Sequence, residues 1–169
     1  MAKHGEVPSF NALAKEAGVG VGTVYRHFES AAALAGALAE APLDAFRRVV
    51  EDAASDPDPA RAIARLLEES VSMVLHQPLV ARALLDAPET ARAIEKRLEE
   101  VVARARATGV IRSDLAVDDF RRLVCGIELA ARAGASPRVA AERYTSIVVA
   151  GLRPPAAERR RALRRAAKA

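Results

Sequence analysis

Ser9-Phe10-Asn11-Ala12-Leu13-Ala14-Lys15-Glu16-Ala17-Gly18-Val19-Gly20-Val21-Gly22-Thr23-Val24-Tyr25-Arg26-His27-Phe28-Glu29-Ser30 is the stretch that decides the fold of this chain. Ser9 is a good helix N-cap, because its hydroxyl can accept from a free backbone N–H of the first turn. Leu13, Ala14 and Ala17 then fall close to one face, and Gly18 follows where a helix ends in a residue that tolerates positive φ. Val24 and Phe28, four apart, give a second short helix its own buried edge and leave Thr23, Arg26 and His27 to point elsewhere. Two short helices joined by a glycine-containing turn make a helix-turn-helix, whose second helix fits the major groove of B-DNA. The run Gly18-Val19-Gly20-Val21-Gly22 imitates a nucleotide-binding glycine loop, but it follows a helix and not a strand.

The residues Ala14-Lys15-Glu16-Ala17-Gly18-Val19 and Gly22-Thr23-Val24-Tyr25-Arg26-His27-Phe28, with Ser30 and Leu34 behind them, resemble the DNA-binding region of the TetR (tetracycline-repressor) family of bacterial transcriptional regulators. Thr23, near the start of the second helix, can hydrogen-bond a phosphate or base edge and touch a thymine methyl, while Val21 can do only the last. The resemblance implies backbone-phosphate contacts for Ser9, Tyr25 and Arg26, which fix register without reading sequence. His27 lies against either backbone or base. The competing reading is that Tyr25 and His27 simply brace the hairpin.

The sequence departs from the family at three places. Ala31 stands where the family has a lysine at the start of the next helix, which removes a phosphate contact. Gly20 stands where a serine or threonine cap is common, so fraying of the recognition helix is expected. The family places a whole amphipathic helix before the motif, whereas Met1 to Pro8 precede it here. Phe10, Leu13 and Phe28 are therefore expected to lack cover; either the native chain starts further upstream, or DNA binding is impaired.

Composition bounds the rest. A length of 169 residues suits one or two small domains, and abundant alanine with few aromatics favours closely packed helices. Cys125 stands alone, so no intrachain disulfide forms, which fits a reducing cytoplasm. No basic-then-apolar leader opens the chain, and no apolar run approaches the ~18 residues that span a bilayer. From Arg153 onward, six arginines and Lys168 against Glu158 give a net +6, so the rest of the chain is −2 within the overall +4. The helix-turn-helix is itself balanced, and global basicity is not evidence for DNA binding. The tail, residues 154–169, adds non-specific attraction to nucleic acid or is simply a solvated end.

Outward from the motif, the pattern predicts an all-α protein. Its expected parts are a DNA-binding domain at 1–40, an effector-binding and dimerisation domain at 41–153, and the basic tail. An alanine- and leucine-rich segment runs from Ser30 to about Ala53, with a kink or break expected at Pro42. Asp58 and Pro59 start a helix to about His76 that buries Ile63, Leu67, Val71, Val74 and Leu75. A short segment follows at Leu79 to Asp86. The next helix, opening at Pro88, carries Ala91, Ile94, Leu98, Val101 and Ala105 and ends before Gly109. A helix from Val117 to about Ala133 is expected to bury Phe120, Leu123, Val124, Ile127 and Ala131. The last, Pro137 to about Leu152, is expected to bury Val139, Ala140, Tyr144, Ile147, Val148 and Gly151.

Leu129, Ala130, Val149 and Ala150 widen the apolar surface beyond one core contact. The family resemblance implies that the last two helices, about 117–133 and 137–152, pair with their copies as a four-helix bundle in a homodimer; close packing within one subunit competes with that. The Val117-to-Pro155 end, with Arg143-Tyr144 and Gly151-Leu152-Arg153-Pro154, is loosely similar to the SbtR-like C-terminal subgroup. The resemblance also implies an effector pocket among the middle helices. Met73, His76, Leu79, Arg82, Leu98, Val101 and Cys125 are its candidates, being on or beside apolar faces. For each, ordinary core or surface is the alternative, and His76 reads equally as a helix C-terminal cap.

An enzyme is disfavoured. Only His4, His27 and His76 are present as histidines, and there is no His-Glu-x-x-His arrangement, cysteine pair or phosphate loop with its lysine. Glu68-Glu69 and Glu99-Glu100 read as solvated helix faces. No catalytic residue, metal or cofactor is assigned. The expected function is a ligand-responsive homodimeric repressor, in the cytoplasm, with double-stranded operator DNA and an unknown small-molecule effector as partners. The alternative is a helical dimeric small-molecule- or protein-binding module with impaired or absent DNA binding.

Overall fold

The computed structural model describes residues 8–77 and 88–156, and every regular element within them is a helix. In chain order these are α1 (Phe10–Ala17), α2 (Val21–His27), α3 (Ala31–Ser55), α4 (Pro59–His76), α5 (Pro88–Ala107), α6 (Val117–Arg132) and α7 (Pro137–Gly151). The fold is all-α. The segment expected at Leu79 to Asp86 and the basic tail from residue 157 lie outside the described residues.

The local signals act where the sequence puts them. Asp58 caps α4, its carboxylate accepting from the N–H groups of Ala60 and Arg61 at 2.9 and 3.3 Å, and Pro59 occupies the first helical position. After α5, Gly109 takes φ 68°, and the N–H of Val110 bonds the Ala105 carbonyl at 3.0 Å, the turned-back ending that glycine permits. Asp119 reaches back to the N–H of Ala116 at 3.0 Å and tightens the start of α6.

Two hydrophobic clusters form. The smaller joins Phe10, Ala14, Val24 and Leu34, with Leu13, Phe28 and Leu38 against it. The larger is organised around α4, which packs on α3, α5, α6 and α7. Leu66, Leu67 and Val71 of α4 meet Val50 of α3, Val101 and Val102 of α5 and Phe120 and Ile127 of α6 in that core. Each such side chain contributes about 1.5–3 kcal/mol of burial energy before chain entropy is set against it.

Pro42 does not break α3, which continues through it to Ser55. The proline leaves one carbonyl without its helical donor. Against that, Leu34 and Leu38 belong to the small cluster while Phe46, Val49 and Val50 belong to the large one, so both ends of a single helix are held by burial. α3 is thus the rod between the two clusters. Its far end is clamped by α5. The Arg104 guanidinium donates to the carbonyls of Ala53 and Ala54, both at 2.9 Å, and Arg97 donates to Glu51 at 3.1 Å. Arginine suits this place because the last carbonyls of a helix have no partners of their own and carry the negative end of its dipole.

α7 differs from expectation in which side it buries. Ala141 and Thr145 are the buried positions, with Ala140, Tyr144 and Val148 half-buried, whereas Val139 and Ile147 are 64% and 62% exposed and Gly151 is exposed. On α6 the expected face is buried, Leu123 only partly, and Leu129 is 72% exposed. Val139 and Ile147 are eight residues apart, about 80° round the helix from one another, and both are open to solvent.

The loop into α4 responds to acid. Arg61 grips Asp56 with two hydrogen bonds of 2.6 and 2.7 Å, and the N–H of Asp58 adds a third at 2.8 Å. The Arg61 bond first, and the Asp58 backbone bond second, hold the Asp56 carboxyl below its usual 3.8. Stability from this group is therefore present above that value and is lost as pH falls through the lowered one. Asp56→Asn should flatten the acid limb of a pH-dependent denaturation profile below about pH 4 and leave the profile unchanged between about pH 5 and 8.

Candidate nucleic-acid interface

The head is built by caps and a small core. The Ser9 hydroxyl accepts from the N–H of Ala12 at 3.2 Å, so α1 starts where the sequence predicts. Gly18 ends it at φ 68°, its N–H bonded to the Ala14 carbonyl. An added Cβ at Gly18 would meet nothing within 4 Å, so only backbone strain opposes a side chain there. Gly18→Ala should cost about 1 kcal/mol in chemical denaturation, with the helical content of the folded state unchanged.

α2 begins at Gly20 without any side-chain cap. The helix forms all the same, because Val24 is 5% exposed within the small cluster and anchors its middle turn. The cover expected to be missing over this cluster is partly supplied from within. Phe10 is 9% exposed, and the Tyr25 ring meets it edge-on with centroids 4.7 Å apart and planes at 75°. Leu13 and Phe28 remain half-buried. Residues 1–7 lie outside the described ones.

Tyr25 is nevertheless 62% exposed. It braces the hairpin through one ring edge and still presents most of its surface, so bracing and contact are compatible. Arg26 and His27 are exposed, Val21 is 38% exposed, and Thr23 is half-buried. Arg26 donates through Nη2 to the Thr23 hydroxyl at 3.3 Å, which brings these two together on the surface of α2. Val21 and Tyr25, one turn apart, form an adjoining row. Ser9 sits at the start of α1, where the free N–H groups of a helix lie. Ser30 caps α3 by accepting from Ala33 at 3.1 Å.

The effector candidates are scattered. Leu98 and Val101 are in the large core, Met73 is half-buried, and Cys125 is exposed on α6. Leu79 and Arg82 lie outside the described residues. His76 is exposed at the end of α4, with Nδ1 against the Ser72 carbonyl at 2.7 Å, the C-terminal capping role. His76 also lines a groove of about 430 Å³ between α4 and α7, with Glu68, Glu69, Val71, Ser72, Leu75, Arg138, Ala141, Glu142 and Thr145. Sequence reading missed these partners, because Glu68 and Glu69 look like a solvated face until α7 is packed beside them. Among the described residues no group of three His, Cys, Asp or Glu side chains is placed to hold a metal ion, and no helix is long and apolar enough to cross a membrane.

Comparison with known proteins agrees with this geometry. Residues 8–38 match the family of bacterial regulatory proteins described as the tetR family, and residues 40–154 match the C-terminal domain of SbtR-like transcriptional regulators. A TetR transcriptional regulator from Streptomyces coelicolor is similar over 86% of this chain and 87% of its own, with 28% identity and a TM-score of 0.61. The ketosteroid transcriptional regulator KstR2 of Mycobacterium tuberculosis shares the fold at 20% identity over 86% and 85% of the two chains, with a TM-score of 0.63. The TetR family regulator PfmR of Thermus thermophilus shares it at 19% identity over 86% and 89%, with a TM-score of 0.62. No curated protein matches. Both parts of the chain thus have matches of one kind: the protein belongs to the TetR family of bacterial transcriptional regulators, with an N-terminal helix-turn-helix and an SbtR-like C-terminal domain.

Proposed function

We propose that the chain acts in the cytoplasm as a homodimeric, ligand-responsive repressor that grips operator DNA with two copies of α2 and is not an enzyme. The observation that carries this is the apolar face left open on α6 and α7, where Leu129, Val139 and Ile147 are 72%, 64% and 62% exposed. A monomer gains nothing from three large aliphatic side chains on adjoining helices in water, whereas a two-fold partner buries them. A two-fold pair of recognition helices then spans half-sites in successive major grooves, about 34 Å apart.

In this reading Thr23 and Val21 read base edges, Tyr25, Arg26 and Ser9 hold phosphates, and His27 contacts backbone or base. Residues up to about 40 form the DNA-binding domain, 41–153 form the effector and dimerisation domain, and 154–169 add non-specific attraction. The two hydrophobic clusters, joined along α3 among the described residues, support that division. An effector shifts the population toward a state whose heads no longer fit the half-site spacing, and its contribution is its difference in affinity between the two states. α3 is suited to carry that change, since one end lies in the head and the other is clamped by Arg104 and Arg97.

The test joins light-scattering mass with fluorescence anisotropy on DNA from upstream of the chain's own gene. A dimeric mass with salt-sensitive, sequence-selective binding is expected. A monomer, or binding that competitor DNA of any sequence abolishes equally, would refute the reading.

A further inference from the structure

We infer that the groove between α4 and α7 binds an organic ammonium ligand, an alkyl or aryl amine whose carbon body lies on Val71, Leu75 and Ala141 and whose cation meets Glu68. The inference gives a chemical class to the effector of the ligand-responsive reading and rests on that reading only for its regulatory consequence. At about 430 Å³ the groove falls within the range of small-molecule sites.

Its polar atoms are not matched among themselves. Glu69 is paired with Arg65 at 2.9 Å and Glu142 with Arg138 at 3.1 Å, which commits the cations nearby. Glu68 has no ion pair or hydrogen bond among the described residues. Thr145 lines the groove, is 2% exposed, and its hydroxyl makes no hydrogen bond among the described residues. Its hydroxyl is available to a ligand in the groove. His76 directs Nδ1 at the Ser72 carbonyl, so in the neutral ring Nδ1 donates and Nε2 is left as an acceptor.

The uncommitted groups are therefore a carboxylate, an imidazole nitrogen and a hydroxyl. They call for a ligand that brings donors and positive charge. A carboxylate ligand would meet Glu68 and Glu69 with its own sign. The other large groove, of about 510 Å³ beside Arg112 and Asp114, lacks this imbalance, since Arg112 is bonded to Asp114 and Arg122 to Asp118 and Asp119.

Three molecules of one shape test the charge requirement by isothermal titration calorimetry on the intact chain: 4-phenylbutylamine, 4-phenylbutanol and 4-phenylbutyrate. The amine is expected to bind about tenfold more tightly than the alcohol, and the carboxylate more weakly than either. Glu68→Gln should lower amine affinity about tenfold and leave the alcohol unchanged, while Glu99→Gln on α5 should change neither. Equal affinities for the three, no saturable amine binding up to about 10 mM, or an amine affinity indifferent to Glu68→Gln would each overturn the assignment. DNA anisotropy in the same solutions keeps the two claims apart. Amine binding with unchanged DNA affinity retains the groove and defeats the ligand-responsive reading; DNA release by another ligand, with no amine bound, defeats the groove alone.

Discussion

Ile147→Lys is expected to turn the dimer into a monomer and to weaken operator binding by about 100-fold or more, because two linked heads bind far more tightly than one. The side chain is 62% exposed in the isolated chain, so the lysine has open solvent in the monomer and should leave its unfolding midpoint nearly unchanged. In the proposed dimer the same position would lie in the interface. An ammonium group buried in that interface would be costly through desolvation. Analytical ultracentrifugation beside anisotropy checks this. A variant that stays dimeric would place the interface elsewhere, and a monomer that binds DNA as tightly as the parent would break the link between assembly and reading.

The second large effect is expected at Tyr25. Tyr25→Ala removes both the hydroxyl proposed to reach a phosphate and the edge that covers Phe10, and it acts twice in the proposed dimer. At about 1–1.5 kcal/mol per copy the loss compounds to roughly 30- to 150-fold in DNA affinity. Tyr25→Phe separates the two roles. It retains the ring at 4.7 Å from Phe10, so thermal stability should hold, while affinity still falls about tenfold across all sequences. A drop confined to certain operator sequences would make Tyr25 a base reader, and an unchanged affinity would leave it only as a brace.

How much of this was legible in the chain depends on what each residue answers to. Ser9, Gly18 and Asp58 act on backbone groups within a turn of themselves, and the structure has each where the sequence puts it. The break that Pro42 suggests does not occur, because local propensity is weak beside burial at both ends of α3. Val139 and Ile147 are read as core because periodicity detects an apolar face but not what covers it, and a face left open looks in sequence like one turned inward. The same limit applied to the effector candidates. Leu98 and Val101 satisfy an apolar criterion and lie in the ordinary core, while Glu68 and Thr145 fail it and line the groove with His76. A groove between α4 and α7 is a property of packing distant segments, and no single helix carries its signature.

The claim beneath everything else is that α2 lies in the major groove and that a second copy does the same nearby. Hydroxyl-radical footprinting of the intact chain on DNA from upstream of its own gene tests this most directly. Two protected half-sites are expected, related by a dyad and centred about one helical turn or a multiple of it apart, and Tyr25→Ala should shift both together to a much higher protein concentration. A single protected patch, even protection along the fragment, or a pattern that Tyr25→Ala leaves at the same protein concentration would contradict the account.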